Sequence, residues 1–398
     1  MHLRILARER IIASQKPLAF CKRLFNKINA KYRFSPLPRR SICAYDDCIN
    51  ACGKKGNKMK ICVVGAGSIG GLLGVKLALA GNDVTLIARG PNLAAIRANG
   101  MKLVMHDGQE HVAKNVGATD NIRAAGPQDI VILGMKAHQV EPVAGDIASL
   151  CHADTVILPM QNGIPWWYFQ RHGGTHEGAG VASVDPNGTV STAVDPKRII
   201  GCVVYPAAEI AAPGVIHHIE GDRFPVGELD ASMGGLDSER VKRVSEVLTA
   251  AGFKSPILPS VRSEIWLKLW GNLTFNPISA LTHSTLVDIC QYPLTRDLAR
   301  NMMKEAQDVA AKLGIAFRVD IERRIAGAEK VGKHKTSMLQ DVEAGRDPEI
   351  DALVGAVIEL GQMTGVPTPH ISAVYSMVKL LGRTMKEEKL YIKGHPIP

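Results

Sequence analysis

The stretch KICVVGAGSIGGLLGVKLALAGNDVTLIAR, residues 60–89, decides the fold. Its first six residues, KICVVG, form a short β-branched apolar run that stops at glycine, the pattern of a buried parallel strand. Apolar residues then recur at helical spacing over 69–80, and DVTLIA at 83–88 reads as a second strand. Strand, glycine turn, helix and strand in that order make a βαβ unit. The turn is Gly65-Ala66-Gly67-Ser68-Ile69-Gly70. Gly65 permits a tight bend, Gly67 lets the backbone approach a pyrophosphate, and Gly70 lets the helix pack closely on the strand, with the helix N-terminus facing the negative charge. A lone GxGxxG is a weak signal, but between a strand and a helix it predicts dinucleotide binding.

The end of the second strand separates NAD from NADP. An acidic residue there would hydrogen-bond the ribose 2′-hydroxyl and repel a 2′-phosphate. Arg89 follows the strand, 19 positions after Gly70, and Asp107 is the only carboxylate between Val84 and Gly108. A permanently charged guanidinium fork suits a phosphate, so the sequence favours NADP(H), the alternative for Arg89 being a solvated surface side chain.

Moving outward, 129–133 (DIVIL) and 155–158 (TVIL) read as further strands, each expected after a helix, which gives a doubly wound parallel sheet. Segments 201–206, 215–219 and 223–226 read as more strands, antiparallel, before a helix near 238–251. After about residue 260 strand signals vanish and long amphipathic stretches run to residue 386. The fold class is therefore α/β: a Rossmann-type doubly wound sheet followed by an all-helical C-terminal domain. The expected divisions are a basic extension at 1–58, a dinucleotide domain at 59–259, a helical substrate domain at 260–392 and a tail at 393–398.

Composition bounds the function. The 398 residues are 46% hydrophobic and 22% charged, enough apolar material for two cores, which excludes a wholly disordered chain. The formal charge of +10 invites a polyanion partner. Its distribution removes that reading: residues 1–58 carry 14 basic against three acidic groups, and the other 340 residues carry 34 against 35. Acid-poor and aperiodic, the first 58 residues read as an extension irrelevant to function, with a mitochondrial presequence as the alternative, and translation starting at Met59 is a third reading. Nucleic acid and membrane are not expected partners, since no run of about 18 apolar residues occurs, and the expected location is the cytoplasm. Cys62, Cys151, Cys202 and Cys290 are scattered as in a reduced intracellular protein, and the spacing of Cys43, Cys48 and Cys52 does not make a zinc site, so no metal is expected.

Two polar groups fall at carboxyl ends of predicted strands, where open α/β sheets bind ligands: Lys136 in GMKAHQ and Asn162 in Gln161-Asn162-Gly163. Either would ordinarily be turn chemistry. The helical part holds a third signal, Glu264, Lys268, Asn272 and Asn276 in SEIWLKLWGNLTFNP. Spacing of four keeps these side chains in one broad helical stripe. A lysine and two amides among Trp266, Leu267, Leu269, Trp270 and Phe275 read as a cationic donor beside groups that grip a polar substrate. The plainer alternative is a Glu264–Lys268 helix pair with asparagines capping before Pro277.

Together with Ser337-Met-Leu-Gln-Asp341 and Glu349-Ile-Asp351, these motifs resemble the ketopantoate reductase (2-dehydropantoate 2-reductase) family over about residues 59–389. The resemblance implies an NADP-binding Rossmann domain joined to a helical domain, with the site in the cleft between them and a role in pantothenate biosynthesis. It implies that Lys268 is the catalytic proton donor, that Asn272, Asn276 and Ser337 bind substrate, and that Lys136, Asn162 and Glu349 line the cofactor and catalytic cleft. A carboxylate would keep Lys268 charged, Glu349 first and Glu264 second. Two departures stand out: no Asn occurs near Thr285 or Leu286, where some members use one, and residues 164–200, with Trp166, Trp167 and Tyr168, form a longer stretch than compact members have. The aromatic stretch keeps another branched or aromatic 2-oxo acid open as substrate. A noncatalytic NADP-binding regulatory protein and a homodimeric assembly also stay open.

Overall fold

The computed structural model describes residues 58–394, and the N-terminal extension lies outside them. Strands β1 (Lys60–Val64), β2 (Asp83–Ile87), β5 (Gly117–Thr119), β6 (Gln128–Leu133) and β7 (Cys151–Pro159) build a sheet in the order β5-β2-β1-β6-β7, every neighbouring pair parallel. Its middle strands are apolar on both sides, as a sheet covered on two faces requires. A second sheet has the order β4-β3-β10-β9, from β3 (Met101–Val104), β4 (Glu110–Ala113), β9 (Ala207–Ala212) and β10 (Val215–Glu220).

Helix α1 (Ser68–Leu79) lies between the two sheets. This explains its sequence: the helix is apolar all round because it is covered all round. Gly71 and Gly74 make the fit possible, since a methyl group on Gly71 would lie 2.6 Å from the Ile216 side chain and one on Gly74 2.5 Å from that of Leu86. Helix α2 (Gly90–Asn99) leads into the β3–β4 hairpin.

Here the sequence reading needs correction. Strands β3, β4 and β5 occupy a stretch where none is expected, β6 follows a 3-10 turn (Ile122–Ala125) rather than a full helix, and β7 follows a run of short helical turns over 137–150. Of the run at 201–206 only β8 (Gly201–Cys202) is strand, pairing antiparallel with β11 (Val226–Gly227). Strand β10 pairs antiparallel with β9 but parallel with β3.

After α3 (Glu239–Ala250) only helices follow: α4 (Val261–Thr282), α5 (Leu286–Gln291), α6 (Pro293–Lys312), α7 (Ile321–Lys330), α8 (Ser337–Glu343), α9 (Ala356–Thr364) and α10 (Pro369–Glu387). Helix α4 is central, packing on α6, α8 and α10. It runs through Pro277, so Asn272 and Asn276 lie inside the helix and do not cap it. One apolar core joins the β1 and β6 residues Val64 and Leu133 to Trp167, Tyr168 and Phe169 and to Trp266 and Trp270 of α4. Burial of these aromatics, each covering on the order of 150–250 Å², fixes α4 against the Rossmann part. No helix among the described residues is long and apolar enough to cross a membrane.

Candidate active site

The glycine loop follows β1. Gly65 has φ of +101°, a left-handed region open to glycine, and a methyl on Gly70 would lie 3.1 Å from Val63. The Gly65 and Ala66 amides donate to the Ile87 carbonyl at 3.2 and 3.0 Å. Asn92 braces the loop from α2: its amide donates to the Ala66 carbonyl at 2.9 Å, and its Oδ1 accepts from the Gly214 amide at 2.7 Å. The N-terminus of α1 has no side-chain cap and no acidic residue in its first turn. Its free amides and positive dipole end therefore suit a diphosphate, and the loop fits a dinucleotide. Arg89 stands two residues past the β2 end, is exposed and directly precedes α2. Asp107, the one nearby carboxylate, accepts from Gln109 in the β3–β4 turn at 3.0 Å.

The polar residues after β6 and β7 face the helical part. Lys136 donates to Asp341 of α8 at 2.9 Å and to the Asp347 carbonyl at 3.0 Å. The Ala137 amide donates to Glu349 at 3.2 Å. Burial pushes the Glu349 carboxyl above its ordinary value, and Lys136 and the Ala137 amide pull the other way. Gln161 holds the β6 end by donating to the carbonyls of Leu133 and Met135 at 2.8 and 2.9 Å. Gly163, at φ +90°, is packed so closely on Ala352 that a methyl there would lie 2.5 Å from its carbonyl carbon.

Lys268 projects from α4 into this junction. Its Nζ donates to Asn162 Oδ1 at 2.5 Å and to the Val204 carbonyl. The residue keeps some exposure, but its ammonium end is enclosed by protein, and burial lowers it to about 8, with smaller opposing influences from Cys202 and Glu349. Both hydrogen-bond partners are neutral. An ammonium has three N–H donors, so one remains for a ligand. The small cavity beside it is lined by Asn162, Asn272 and the apolar side chains of Val203, Val204, Ile265 and Leu269, with no aromatic residue.

Several sequence expectations are sharpened or corrected. Asn276 donates to Ser337 at 3.4 Å, which brings the last amide of the row to the N-terminus of α8. Glu264 does not pair with Lys268: it is buried and accepts from Tyr205 at 2.8 Å, Arg223 at 3.0 Å and Arg318 at 2.8 Å. Helical spacing puts it near Lys268, but three donors on the other side claim its oxygens. Thr285, where some relatives carry a substrate asparagine, caps α5 together with Asp288. Trp166 and Trp167 are core residues, and Trp266 donates to the Tyr168 hydroxyl at 2.7 Å. The long aromatic stretch therefore supports α4 and does not line the cavity. Asn92, Asp341 and Val204 were missed as site-builders; only Asp341 lay in a recognisable motif, Asn92 reaches with its side chain to backbone groups distant in sequence, and Val204 acts through its carbonyl.

A larger cavity of about 680 Å³ lies around Asp154, Arg198 and Arg243 at the beginning of β7, the opposite end from the glycine loop. Arg198 spends its guanidinium there on carbonyls, including His152 at 2.5 Å and Ala153 at 3.2 Å. Open α/β sheets bind at the carboxyl ends of their strands, so the small cavity by Lys268 is the candidate site.

A dinucleotide loop on a Rossmann sheet, facing an enclosed lysine on a helical domain, defines a nicotinamide-dependent oxidoreductase. The family described as "Ketopantoate reductase PanE/ApbA" matches residues 61–231, and its C-terminal part matches residues 260–382. The chain belongs to the ketopantoate reductase family. It is 51% identical over 324 residues to the 2-dehydropantoate 2-reductase of Mesorhizobium japonicum, spanning 81% of this chain and 98% of that one. A solved protein from Ralstonia solanacearum MolK2 superposes with a TM-score of 0.77 at 38% identity, covering 82% of this chain and 98% of the other. D-mandelate dehydrogenase, solved with NADH, shares the fold at a TM-score of 0.70 and 23% identity, covering 82% and 100%.

Proposed function

We propose that the protein reduces a 2-oxo acid to the 2-hydroxy acid with NADPH, and that 2-dehydropantoate is the substrate, giving pantoate. The observation that carries this reading is the Lys268 ammonium, enclosed, held by two neutral acceptors and left with one free N–H beside the amides Asn162 and Asn272. What supports 2-dehydropantoate over other 2-oxo acids is the 51% identical relative, a 2-dehydropantoate 2-reductase.

The free amides of Gly67, Ser68, Ile69 and Gly70 would hold the diphosphate, and Arg89 the 2′-phosphate. When bound, the reduced nicotinamide supplies a hydride to the ketone carbon. Lys268 meets the negative charge that develops on the ketone oxygen and then donates its proton to it, leaving a hydroxyl. A positioned acid of this kind contributes about 10²- to 10⁴-fold. Asn162 and the Val204 carbonyl keep the ammonium aimed without neutralising it. Asn272, Asn276 and Ser337 hold the polar ends of the substrate, and Lys136 and Glu349 close the cleft on the cofactor side.

Two assays test this. NADPH oxidation over a panel of 2-oxo acids should place 2-dehydropantoate among the best substrates; a preference for aromatic acids would overturn the substrate. A Lys268→Ala variant that binds NADPH but fails to turn over would support the catalytic role over a noncatalytic binding protein, and retained turnover would end it.

A further inference from the structure

Tyr205 has no part in the reaction as described, yet it contacts Lys268, Arg223 and Glu264. Its ring centroid is 5.8 Å from Lys268 Nζ and 5.0 Å from Arg223 Cζ. Its hydroxyl donates to Glu264 at 2.8 Å. Glu264 stands one helical turn before Lys268 on α4, so the helix that carries the lysine also carries the anchor for Tyr205. The residue before Tyr205 supplies the carbonyl that accepts from Lys268. The Tyr205 amide donates to the Arg223 carbonyl at 3.2 Å, so the segment is tied from both sides.

We propose that Tyr205, clamped by Glu264, is a positioning residue that sets the place and the charge of the Lys268 ammonium. The ring presents its electron-rich face to the cation, and donation of the phenol proton to a buried carboxylate enriches that face further. Burial, then Glu264, pushes the Tyr205 phenol up to about 12, so it stays a donor to Glu264 through the neutral range and does not compete with Lys268 as the acid. The other groups facing Lys268 are Glu349, the Cys202 thiol, which burial pushes up to about 12 and so keeps neutral, and uncharged Asn162. This inference rests on Lys268 being the proton donor, but its primary test does not require the substrate.

The test is trace acetylation of Lys268 in the free, full-length enzyme as a function of pH, read by peptide mass spectrometry. The wild type should titrate near pH 8. Tyr205→Leu removes the ring and should lower the midpoint by about one pH unit or more, the size of a cation–π contact to an enclosed cation. The alkaline limb of the rate should move with it. Tyr205→Phe keeps the ring and loses the clamp: the midpoint should stay within about 0.2 unit, while kcat falls about three- to tenfold with KM little changed, the cost of losing one hydrogen bond to a charged group. Tyr205→Met preserves more volume and replaces the Leu variant should that fail to fold. A folded Leu or Met variant with the wild-type midpoint overturns the role of the ring, and a Phe variant with wild-type kcat overturns the clamp. A wild type that reduces no 2-oxo acid would count against the proposed reaction and would leave the acetylation result standing.

Discussion

Two lysines stand where the Rossmann and helical parts meet, and their surroundings differ in kind. Lys136, on the Rossmann side, has a carboxylate partner in Asp341 at 2.9 Å. Lys268, on the helical side, has only an amide oxygen and a backbone carbonyl. A salt-bridged ammonium spends its donors on its partner and serves as an anchor. An enclosed ammonium without an ion pair holds its proton loosely, which is what a donor to a developing alkoxide needs. The difference teaches that residue type alone does not assign the role: the same side chain is suited to anchoring where it is paired and to proton donation where it is buried among neutral acceptors.

Exchanging the two is the strongest way to break the comparison. Lys268→Met should lower kcat and kcat/KM together by about 10²- to 10⁴-fold. Lys136→Met should act mainly through KM, by about ten- to a hundredfold, as expected for a lost charge-assisted contact. Steady-state kinetics on both variants checks this, and similar profiles for the two would erase the distinction.

Next in size is cofactor choice. Arg89→Ser should raise the KM for NADPH about tenfold or more and leave that for NADH nearly unchanged. Equal effects on both cofactors would make Arg89 a surface residue.

The comparison also predicts a stability cost. A lysine lowered from its ordinary value to about 8 on folding is held in its charged form against burial at neutral pH. Between the folded and unfolded values the unfolded chain binds more protons, so this contribution becomes less unfavourable as pH rises from about 8 through the usual lysine range. Lys268→Met should therefore stabilise the protein at pH 7 by on the order of 2 to 3 kcal/mol, and the gain should shrink above pH 8. Denaturant unfolding at pH 7 and pH 10 measures both. The smallest effect belongs to Asp341→Asn, which keeps an acceptor for Lys136 and should change KM only a few-fold.

Much of this was readable in the sequence, and the unread parts share a cause. The strand–glycine–helix order at 60–80 and the four-residue row on α4 are periodic, and periodicity survives without coordinates. The hairpin of β3 and β4 was not legible because its strands are four residues each and β4 is largely exposed, leaving no apolar run to notice. Glu349, the first candidate for keeping Lys268 charged, does favour its charged form, but the second candidate, Glu264, was misjudged for a different reason. Glu264 sits at the right helical spacing, but Tyr205, Arg223 and Arg318 come from distant segments, and only the fold reveals that they take both carboxylate oxygens. Val204 was invisible because it contributes a carbonyl, which every residue possesses. The aromatic run at 166–169 misled in the opposite direction: its composition resembles a pocket for an aromatic ligand, whereas these rings are core.

The account turns on Lys268 donating a proton from a lowered, unpaired ammonium. Single-turnover reduction of 2-dehydropantoate, followed from pH 6 to 10 in the wild type and in Lys268→Ala, tests it most directly. The predicted result is a wild-type rate that falls with an alkaline limb near pH 8, and a variant that lacks the limb and is slower by about 10²-fold or more at pH 7. A wild-type rate that stays flat through pH 10, or a variant within about tenfold of it, would contradict the account.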